Sequence, residues 1–208
     1  MKITNKINGR SDNISKMIAH VIENNIEGDI LDIGVFKGFS SYKAVEKLLQ
    51  LGVTNRDVYL YDTFEGMVKP TDEDGDKIKG IYKRETRNGN TSWAKGSLEE
   101  VKNNMESLKY PKDRIHYVKG MVEDTLLNHP HKKVAYMRLD TDYYSSTKIE
   151  LDKLYPVLSP NGVVIVDDYG SKFVGSTLAV TEFLKENNLT EDILTRLPTC
   201  GVYFFKPI

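Results

Sequence analysis

Cysteine is almost absent from this 208-residue sequence, in which Cys200 is the only one. A single cysteine excludes an intramolecular disulfide framework and a cysteine-based metal site. No apolar run approaches the ~20 residues needed to span a bilayer. The first residues also have no apolar core of the kind that signal peptides carry. These absences predict a soluble, cytoplasmic protein without a membrane partner.

Neither sign of charge predominates in the sequence. Twenty-nine Lys and Arg residues stand against 30 Asp and Glu residues, and the formal net charge is −1 at pH 7. This balance gives no electrostatic reason to expect nucleic acid as a partner. With 39% hydrophobic and 28% charged residues, the composition is that of a globular protein with a sizeable core. We predict a helical segment over residues 1–27, which packs on the sheet or forms a homodimer, and one domain over residues 28–208.

Acidic residues follow two buried strands that a helix connects. Residues 134–139 and 163–166 have the apolar character of strands covered on both faces. A crossover of this length makes the strands parallel, so Asp140, Asp142, Asp167 and Asp168 converge on one rim of the sheet. Clustered carboxylates are costly to bury without partners, so the rim predicts a cation site or a proton-transfer role. Single aspartates could instead cap helices or turns. Thr147 and Glu150 fit a capping box for the connecting helix.

The first strand and helix of the domain enclose a glycine-bearing turn. Asp32 and Gly34 end the strand, and Ser40 or Ser41 can cap the helix that follows. A dinucleotide fingerprint needs G-x-G-x-x-G, but Val35 follows Gly34 and the next glycine is Gly38. This spacing favours a nucleoside-like ligand without a pyrophosphate, for which S-adenosylmethionine (SAM) is the common example.

Asp62 ends the second predicted strand, residues 58–61. An acidic residue at this position can accept hydrogen bonds from a ribose diol. SAM enzymes and NAD enzymes share this feature, so Asp62 supports an adenosine-type ligand without choosing between them.

Residues 65–96 form a long polar stretch without clear periodicity. Long irregular segments inside a compact domain are usually functional or disordered. Because this segment leaves the ligand side of the sheet, we predict a mobile lid-like insertion, here called the lid segment. Trp93 and Tyr82 are candidates either for packing on a ligand or for anchoring the lid. The acidic run at residues 72–76 is interpreted as a solvated turn.

The rest of the chain completes an α/β pattern. Residues 114–119 predict a strand near the sheet edge. Residues 192–196 and 201–205 are joined too closely for a parallel crossover and predict an antiparallel hairpin. The fold class predicted is a Rossmann-like, mostly parallel sheet that ends in this hairpin, with helices on both faces.

Several blocks of the sequence resemble the macrocin O-methyltransferase (TylF/MycF) family of class I SAM-dependent methyltransferases. The matching blocks are residues 28–38 (GDILDIGVFKG), 61–66 (YDTFEG), 97–101 (SLEEV), 120–125 (GMVEDT), 138–147 (RLDTDYYSST), 154–156 (LYP) and 167–170 (DDYG). They extend over most of residues 28–175. The sequence departs from the family in having Asp32-Ile33-Gly34 where Glu-Thr-Gly is frequent, and in a short N-terminus.

The resemblance implies a SAM- and Mg²⁺-dependent O-methyltransferase acting on a sugar hydroxyl of a small-molecule acceptor. It implies Asp140, Asp167 and Asp168 as metal ligands, and Asp142 as the general base with Asp140 as the alternative. The implied cofactor-binding residues are Asp32, Gly34, Val35, Phe36, Gly38, Ser40, Asp62, Thr63, Phe64, Gly120, Met121 and Asp140.

Three other functions stay open at this point. A catechol-type methyltransferase also uses magnesium and aspartates. An NAD-dependent or nucleotide-sugar oxidoreductase shares the sheet, although the glycine spacing and the acidic rim disfavour it. A non-catalytic binding module is the third, but it has no need of converging carboxylates.

Overall fold

A computed structural model describes residues 9–198 and 200–208. The first eight residues of the predicted N-terminal segment therefore lie outside the described residues. The helices are α1 (Arg10–Glu23), α2 (Phe39–Gln50), α3 (Gly75–Glu85), α4 (Leu98–Glu106), α5 (Val122–Thr125), α6 (Tyr144–Leu154) and α7 (Val174–Glu186). The strands are β1 (Asp29–Ile33), β2 (Val58–Asp62), β3 (Thr86–Arg87), β4 (Asn90–Thr91), β5 (Ile115–Lys119), β6 (Val134–Leu139), β7 (Leu158–Val166), β8 (Thr195–Arg196) and β9 (Val202–Phe205).

Seven strands form one sheet in the order β5-β2-β1-β6-β7-β9-β8. The first five are parallel, and β9 pairs antiparallel with both β7 and β8. This arrangement confirms the predicted fold class, including the edge position of β5 and the terminal hairpin. Residues 191–193 form a short 3₁₀ turn, so β8 is shorter than the sequence predicted.

Helices cover both faces of the sheet. One core joins α1, α2 and α4 to one face, and its buried members include Met17, Val45 and Val101. The other core joins α5, α6 and α7 to the opposite face through residues such as Leu151 and Val180. Helix α1 thus packs within the fold, on α2 and the sheet, which is one of the two placements the sequence allowed. It begins at Arg10, and Ser11 and Asp12 lie within its first turn.

The lid segment contains more regular structure than its sequence predicted. It folds as helix α3 followed by the hairpin β3–β4. Its small core consists of Ile78 packed with Tyr143 and Phe173, with Trp93 at the edge. The acidic run is not a solvated turn throughout, because Asp74 is only 2% exposed. Its carboxylate accepts hydrogen bonds from Thr71 and from the backbone N–H of Tyr144.

The N-terminus of α6 also differs from the sequence prediction. The helix begins at Tyr144, so Thr147 and Glu150 lie inside it and form no capping box. Glu150 is fully buried and accepts a hydrogen bond from the Thr141 hydroxyl instead. The capping contact comes from Asp74, in a distant part of the sequence. Within the described residues, no helix is both long and apolar enough to cross a membrane.

Candidate active site

The site lies where four parallel strands end side by side. At the end of β1, Ile33 pairs with Tyr61 of β2 and with Leu139 of β6. Leu139 in turn pairs with Val166, the last residue of β7. In parallel strands of matched register, the residues that follow them in the chain emerge at one rim. Gly34, Asp62, Asp140 and Asp167 therefore leave the sheet next to one another.

Close approach of two strand exits explains the glycine at position 34. A Cβ atom on Gly34 would lie 2.2 Å from the carbonyl oxygen of Asp140, and φ at Gly34 is +84°. Both the space and the backbone conformation exclude other residues without rearrangement. The glycine turn and the acidic rim are thus parts of one packed unit.

A cavity of about 330 Å³ opens above this rim. Its size is within the range of small-molecule and cofactor sites. The residues that line it come from the strand exits, from the lid segment and from α1: Arg10, Gly34, Phe36, Tyr61, Asp62, Thr63, Gly66, Met67, Val68, Trp93, Ala94, Gly120, Met121, Val122, Glu123, Asp140, Thr141, Asp142, Ser146, Asp168, Lys172 and Phe173.

Asp62 organises one side of the cavity. One carboxylate oxygen accepts the backbone N–H groups of Val35 and Phe36 at 2.8 and 2.9 Å. The other accepts the N–H of Phe64 at 2.7 Å. Burial raises the pKa of Asp62 above its usual range, and these backbone hydrogen bonds oppose the shift. The carboxylate therefore fixes the glycine turn to the end of β2.

The predicted cofactor residues fall into two groups. Those lining the cavity are Gly34, Phe36, Asp62, Thr63, Gly120, Met121 and Asp140. Those behind its surface are Asp32, Val35, Gly38, Ser40 and Phe64. Asp32 is buried and accepts hydrogen bonds from Ser41 at 2.5 Å and from Arg138 at 3.1 Å. It holds the turn rather than facing the cavity.

Arg138 lies at the centre of the acidic rim. No role for this residue was predicted from the sequence. Its side chain is 1% exposed. Besides Asp32, its guanidinium group contacts Asp140 at 2.6 Å and Asp167 at 2.7 Å. Its position inside the RLDTD block was the available signal, because a buried arginine beside acidic residues indicates charge pairing.

Asp140, Asp142 and Asp168 form the one group of potential metal ligands found in the described part of the chain. One oxygen from each lies within 4.8 Å of the others. Asp167 is not part of this group. It is 2% exposed, and the oxygen that contacts Arg138 also contacts Arg10 at 2.5 Å. In this geometry Asp142, and not Asp167, is grouped with Asp140 and Asp168.

The electrostatics of this group favour binding of a cation or a proton. Burial raises the pKa of Asp140 well above its usual range, and Asp167 adds to the shift while Arg138 opposes it. Burial and the adjacent Asp168 raise the pKa of Asp142 in the same direction. The rim has five carboxylates, counting Asp32 and Asp167, but only two arginines, so it carries excess negative charge when all five are ionised.

Residues outside the strand exits complete the cavity. Arg10 reaches it from the first turn of α1, so the N-terminal helix contributes to the site. Lys172 lies over the rings of Phe173 and Trp93, at 5.0 and 5.9 Å from their centroids. Trp93 stacks on Phe173 and thus anchors the lid segment, and it also lines the cavity, where packing on a ligand stays a prediction. No sequence pattern indicated Arg10 or Lys172, because their positions depend on tertiary packing.

The sheet order, with a cavity above its parallel strand exits, is that of the class I methyltransferase fold. The chain belongs to the macrocin O-methyltransferase (TylF) family, whose model matches residues 4–206. Membership of this family decides against the oxidoreductase and the non-catalytic binding module.

Relatives of known function agree with this assignment. The chain is 34% identical to the 8-demethyl-8-(2,3-dimethoxy-alpha-L-rhamnosyl)-tetracenomycin-C 4'-O-methyltransferase of Streptomyces olivaceus over 160 residues, which are 77% of this chain and 60% of the relative. It is 31% identical to the demethyldecarbamoylnovobiocin O-methyltransferase of Streptomyces niveus over 198 residues, 94% of this chain and 72% of the relative. The solved structure of the O-methyltransferase NovP superposes with a TM-score of 0.84 and 29% identity, covering 96% of this chain and 80% of NovP. The chain thus spans between three fifths and four fifths of these proteins.

Proposed function

We propose that this chain transfers the methyl group of SAM to a hydroxyl of a sugar in a small-molecule glycoside or nucleotide sugar. The observation that carries the proposal is the group Asp140, Asp142 and Asp168 in the wall of the cavity that Gly34 and Asp62 also line. The rhamnosyl unit named for the Streptomyces olivaceus relative supports a sugar acceptor.

The strand exits on the β1–β2–β5 side are the proposed SAM site. The glycine turn offers close backbone approach, and Asp62 lies where a ribose diol would be bound. Phe36 and Met121 are partly exposed apolar side chains of the cavity and suit the adenine ring. The proposed SAM site is supported by residues that lie behind the cavity surface: Asp32, Val35, Gly38, Ser40 and Phe64.

Asp140 and Asp168 are the proposed Mg²⁺ ligands, and Asp142 lies beside them as the proton acceptor. Carboxylate oxygens are the donors that Mg²⁺ prefers, and the excess negative charge of the rim fits a divalent cation. Asp167 supports the group through Arg138 and Arg10. When bound, Mg²⁺ supplies Lewis acidity that lowers the pKa of an acceptor hydroxyl.

Asp142 is the proposed general base. The hydroxyl oxygen of the sugar forms a bond to the methyl carbon, the carbon–sulfur bond breaks, and the sulfonium becomes a neutral thioether. The hydroxyl proton passes to a carboxylate oxygen of Asp142. Asp142 lines the cavity beside Asp140 and Asp168, so its carboxylate is placed to accept the proton of a hydroxyl oriented there. Asp140 is the alternative, but Arg138 already binds one of its oxygens.

The lid segment is the proposed cover of the acceptor. Met67, Val68 and Trp93 contribute apolar side chains to the cavity wall. Such a wall can pack on the apolar face of a sugar ring and exclude water from the reacting atoms.

Methyl transfer from radiolabelled SAM tests the proposal. Acceptors are an aryl rhamnoside, a nucleotide-linked rhamnose and a catechol, each with Mg²⁺ or with EDTA. We expect labelling of a sugar acceptor that EDTA abolishes, and no labelling after Asp142→Asn. Asp113→Asn, an exposed acidic position outside the cavity, is the matched control. Labelling of the catechol alone would contradict the sugar assignment, and full activity in EDTA would contradict the metal assignment.

A further inference from the structure

Asp142 occupies a strained turn. Its φ angle is +70°, which is unusual for a residue other than glycine. The N–H of Tyr143 donates to the carbonyl oxygen of Thr141 at 2.9 Å, which closes a three-residue γ-turn with Asp142 at its centre. Such a conformation persists only when the surrounding structure holds it. The contacts on both sides of Asp142 therefore decide where its carboxylate points.

The side before Asp142 is fixed by the sheet and by α6. The N–H of Asp140 donates to the carbonyl oxygen of Ile33 at 2.8 Å. The hydroxyl of Thr141 donates to the fully buried Glu150 at 2.9 Å. Burial raises the pKa of Glu150 well above its usual range. These contacts join Asp140 and Thr141 to β1 and α6 and involve no residue of the lid segment.

The side after Asp142 is held by a residue of the lid segment. One oxygen of Asp74 accepts the N–H of Tyr144, the first residue of α6, at 2.8 Å. The N–H groups of a first helical turn have no acceptor within the helix, and a carboxylate there is stabilising. The other oxygen of Asp74 accepts the N–H and hydroxyl of Thr71 at 2.8 and 3.1 Å. Asp74 thus joins the lid segment to the residues that follow Asp142.

Gly175 shows how closely this contact is packed. A Cβ atom at this position of α7 would lie 2.1 Å from the bonded oxygen of Asp74 and 2.8 Å from the nitrogen of Tyr144. Even the smallest side chain would therefore displace the bond. Three elements, the lid segment, α6 and α7, meet at this point.

We propose that Asp74 is a positioning residue for Asp142, which couples docking of the lid segment to the orientation of the base. The inference rests on the proposed role of Asp142. When Asp74 holds Tyr144, the turn is restrained from both sides. When the lid segment leaves, α6 loses its cap and Asp142 loses one of its two restraints. The base is then aligned only under a docked lid.

Substitutions at Asp74 test this role against a matched control. The variants are Asp74→Ala and Asp74→Asn, with Asp76→Asn as the same chemical change at a fully exposed position of the same segment. A misplacement of about 1 Å can reduce turnover by about a hundredfold, so we expect Asp74→Ala to lower kcat by about ten- to a hundredfold. Asp74→Asn retains an oxygen for Tyr144 and should recover part of kcat. SAM affinity should not change, because the SAM side is built from other strand exits.

A second variant leaves Asp74 in place. Gly175→Ala should displace the contact from the side of α7 and lower kcat in the same way, again with unchanged SAM affinity. If Asp74→Ala does not fold, Gly175→Ala tests whether the contact between Asp74 and Tyr144 positions Asp142. Wild-type kcat in Asp74→Ala would overturn the inference, as would wild-type kcat in Gly175→Ala or an equal loss of kcat and SAM affinity.

Comparison of the single variants Asp142→Asn and Asp74→Ala separates this inference from the proposed function. If Asp142 is the base and Asp74 positions it, Asp142→Asn abolishes turnover and Asp74→Ala lowers kcat without abolishing it. If Asp142→Asn alone is fully active, the role of Asp142 as base fails, whatever Asp74 does. If Asp142→Asn is inactive while Asp74→Ala turns over normally, only the positioning role fails.

Discussion

Arg138 is the residue on which the charge balance of the rim depends. It contacts Asp32, Asp140 and Asp167 while almost completely buried. Removing one partner of a buried charge network leaves the others desolvated and unpaired, which costs far more than the loss of an exposed pair. The rim therefore combines a structural cation with the carboxylates proposed to bind magnesium.

Arg138→Met should destabilise the fold by about 3–5 kcal/mol at neutral pH. Arg138 lowers the pKa of Asp140, so its removal lets burial raise that pKa further in the folded state. A carboxyl group whose pKa is raised by folding stabilises the folded state at pH values below its pKa in the unfolded chain, about 3.9. This contribution to the free energy of unfolding is lost as the pH rises. The deficit should thus shrink as pH falls toward 4. Urea unfolding at several pH values measures it.

Arg114→Met is the matched control for this change. Arg114 is partly exposed and pairs with Asp57 at 2.8 Å near the opposite ends of the strands. Loss of such a pair is worth about 0–1 kcal/mol. Equal losses in the two variants, or a deficit at Arg138 that does not depend on pH, would contradict the charge-balance account.

The acidic rim could be predicted from the sequence because short apolar runs indicate where the buried strands end. It did not predict which carboxylates group together. Asp167 and Asp168 are adjacent, and their side chains separate only once β7 is placed, one toward the arginines and the other toward Asp142. Asp74 was misread for a similar reason, since its partner Tyr144 is far away in the sequence.

The lid segment is the element whose structure the sequence predicted least. In α3, Ile78 is the buried residue, and the rest of the helix is partly or fully exposed. Ile78, Ile81 and Tyr82 recur at i, i+3 and i+4, but this apolar stripe extends over little more than one turn and is shorter than that of α1. The helix is held by contacts with Tyr143 and Phe173, which belong to later parts of the chain.

Ile78→Ala should loosen the lid segment without unfolding the sheet. Truncation of a buried isoleucine costs about 2–5 kcal/mol, here concentrated in a small core. Amide hydrogen exchange followed by mass spectrometry should show faster exchange within residues 65–96 and unchanged protection in β6 and β7. Ile81→Ala, at a less buried position of the same helix, should have a smaller effect. If amide exchange in β6 and β7 became faster to the same extent, the lid segment would not be an independent folding unit.

For the whole molecule, ligand binding should appear as added stability. A ligand that binds only the folded state adds about 2.7 kcal/mol at 100 times its dissociation constant. We expect SAM and S-adenosylhomocysteine to raise the unfolding temperature, and NAD at the same concentration to leave it unchanged. The Asp142→Asn variant should respond to SAM as the wild type does. Stabilisation by NAD and not by SAM would contradict the donor site.

The contact between Arg10 and Asp167 has a consequence for how the protein is made. Helix α1 leaves the ribosome well before β7, yet it packs against β7, and Arg10 contacts the carboxylate of Asp167 just after that strand. His20 of α1 likewise contacts the carbonyl oxygen of Asn161. The apolar side chains of α1 that pack there therefore stay uncovered until β7 has been synthesised. A nascent chain that stops short of β7 can neither complete its core nor acquire the acidic rim.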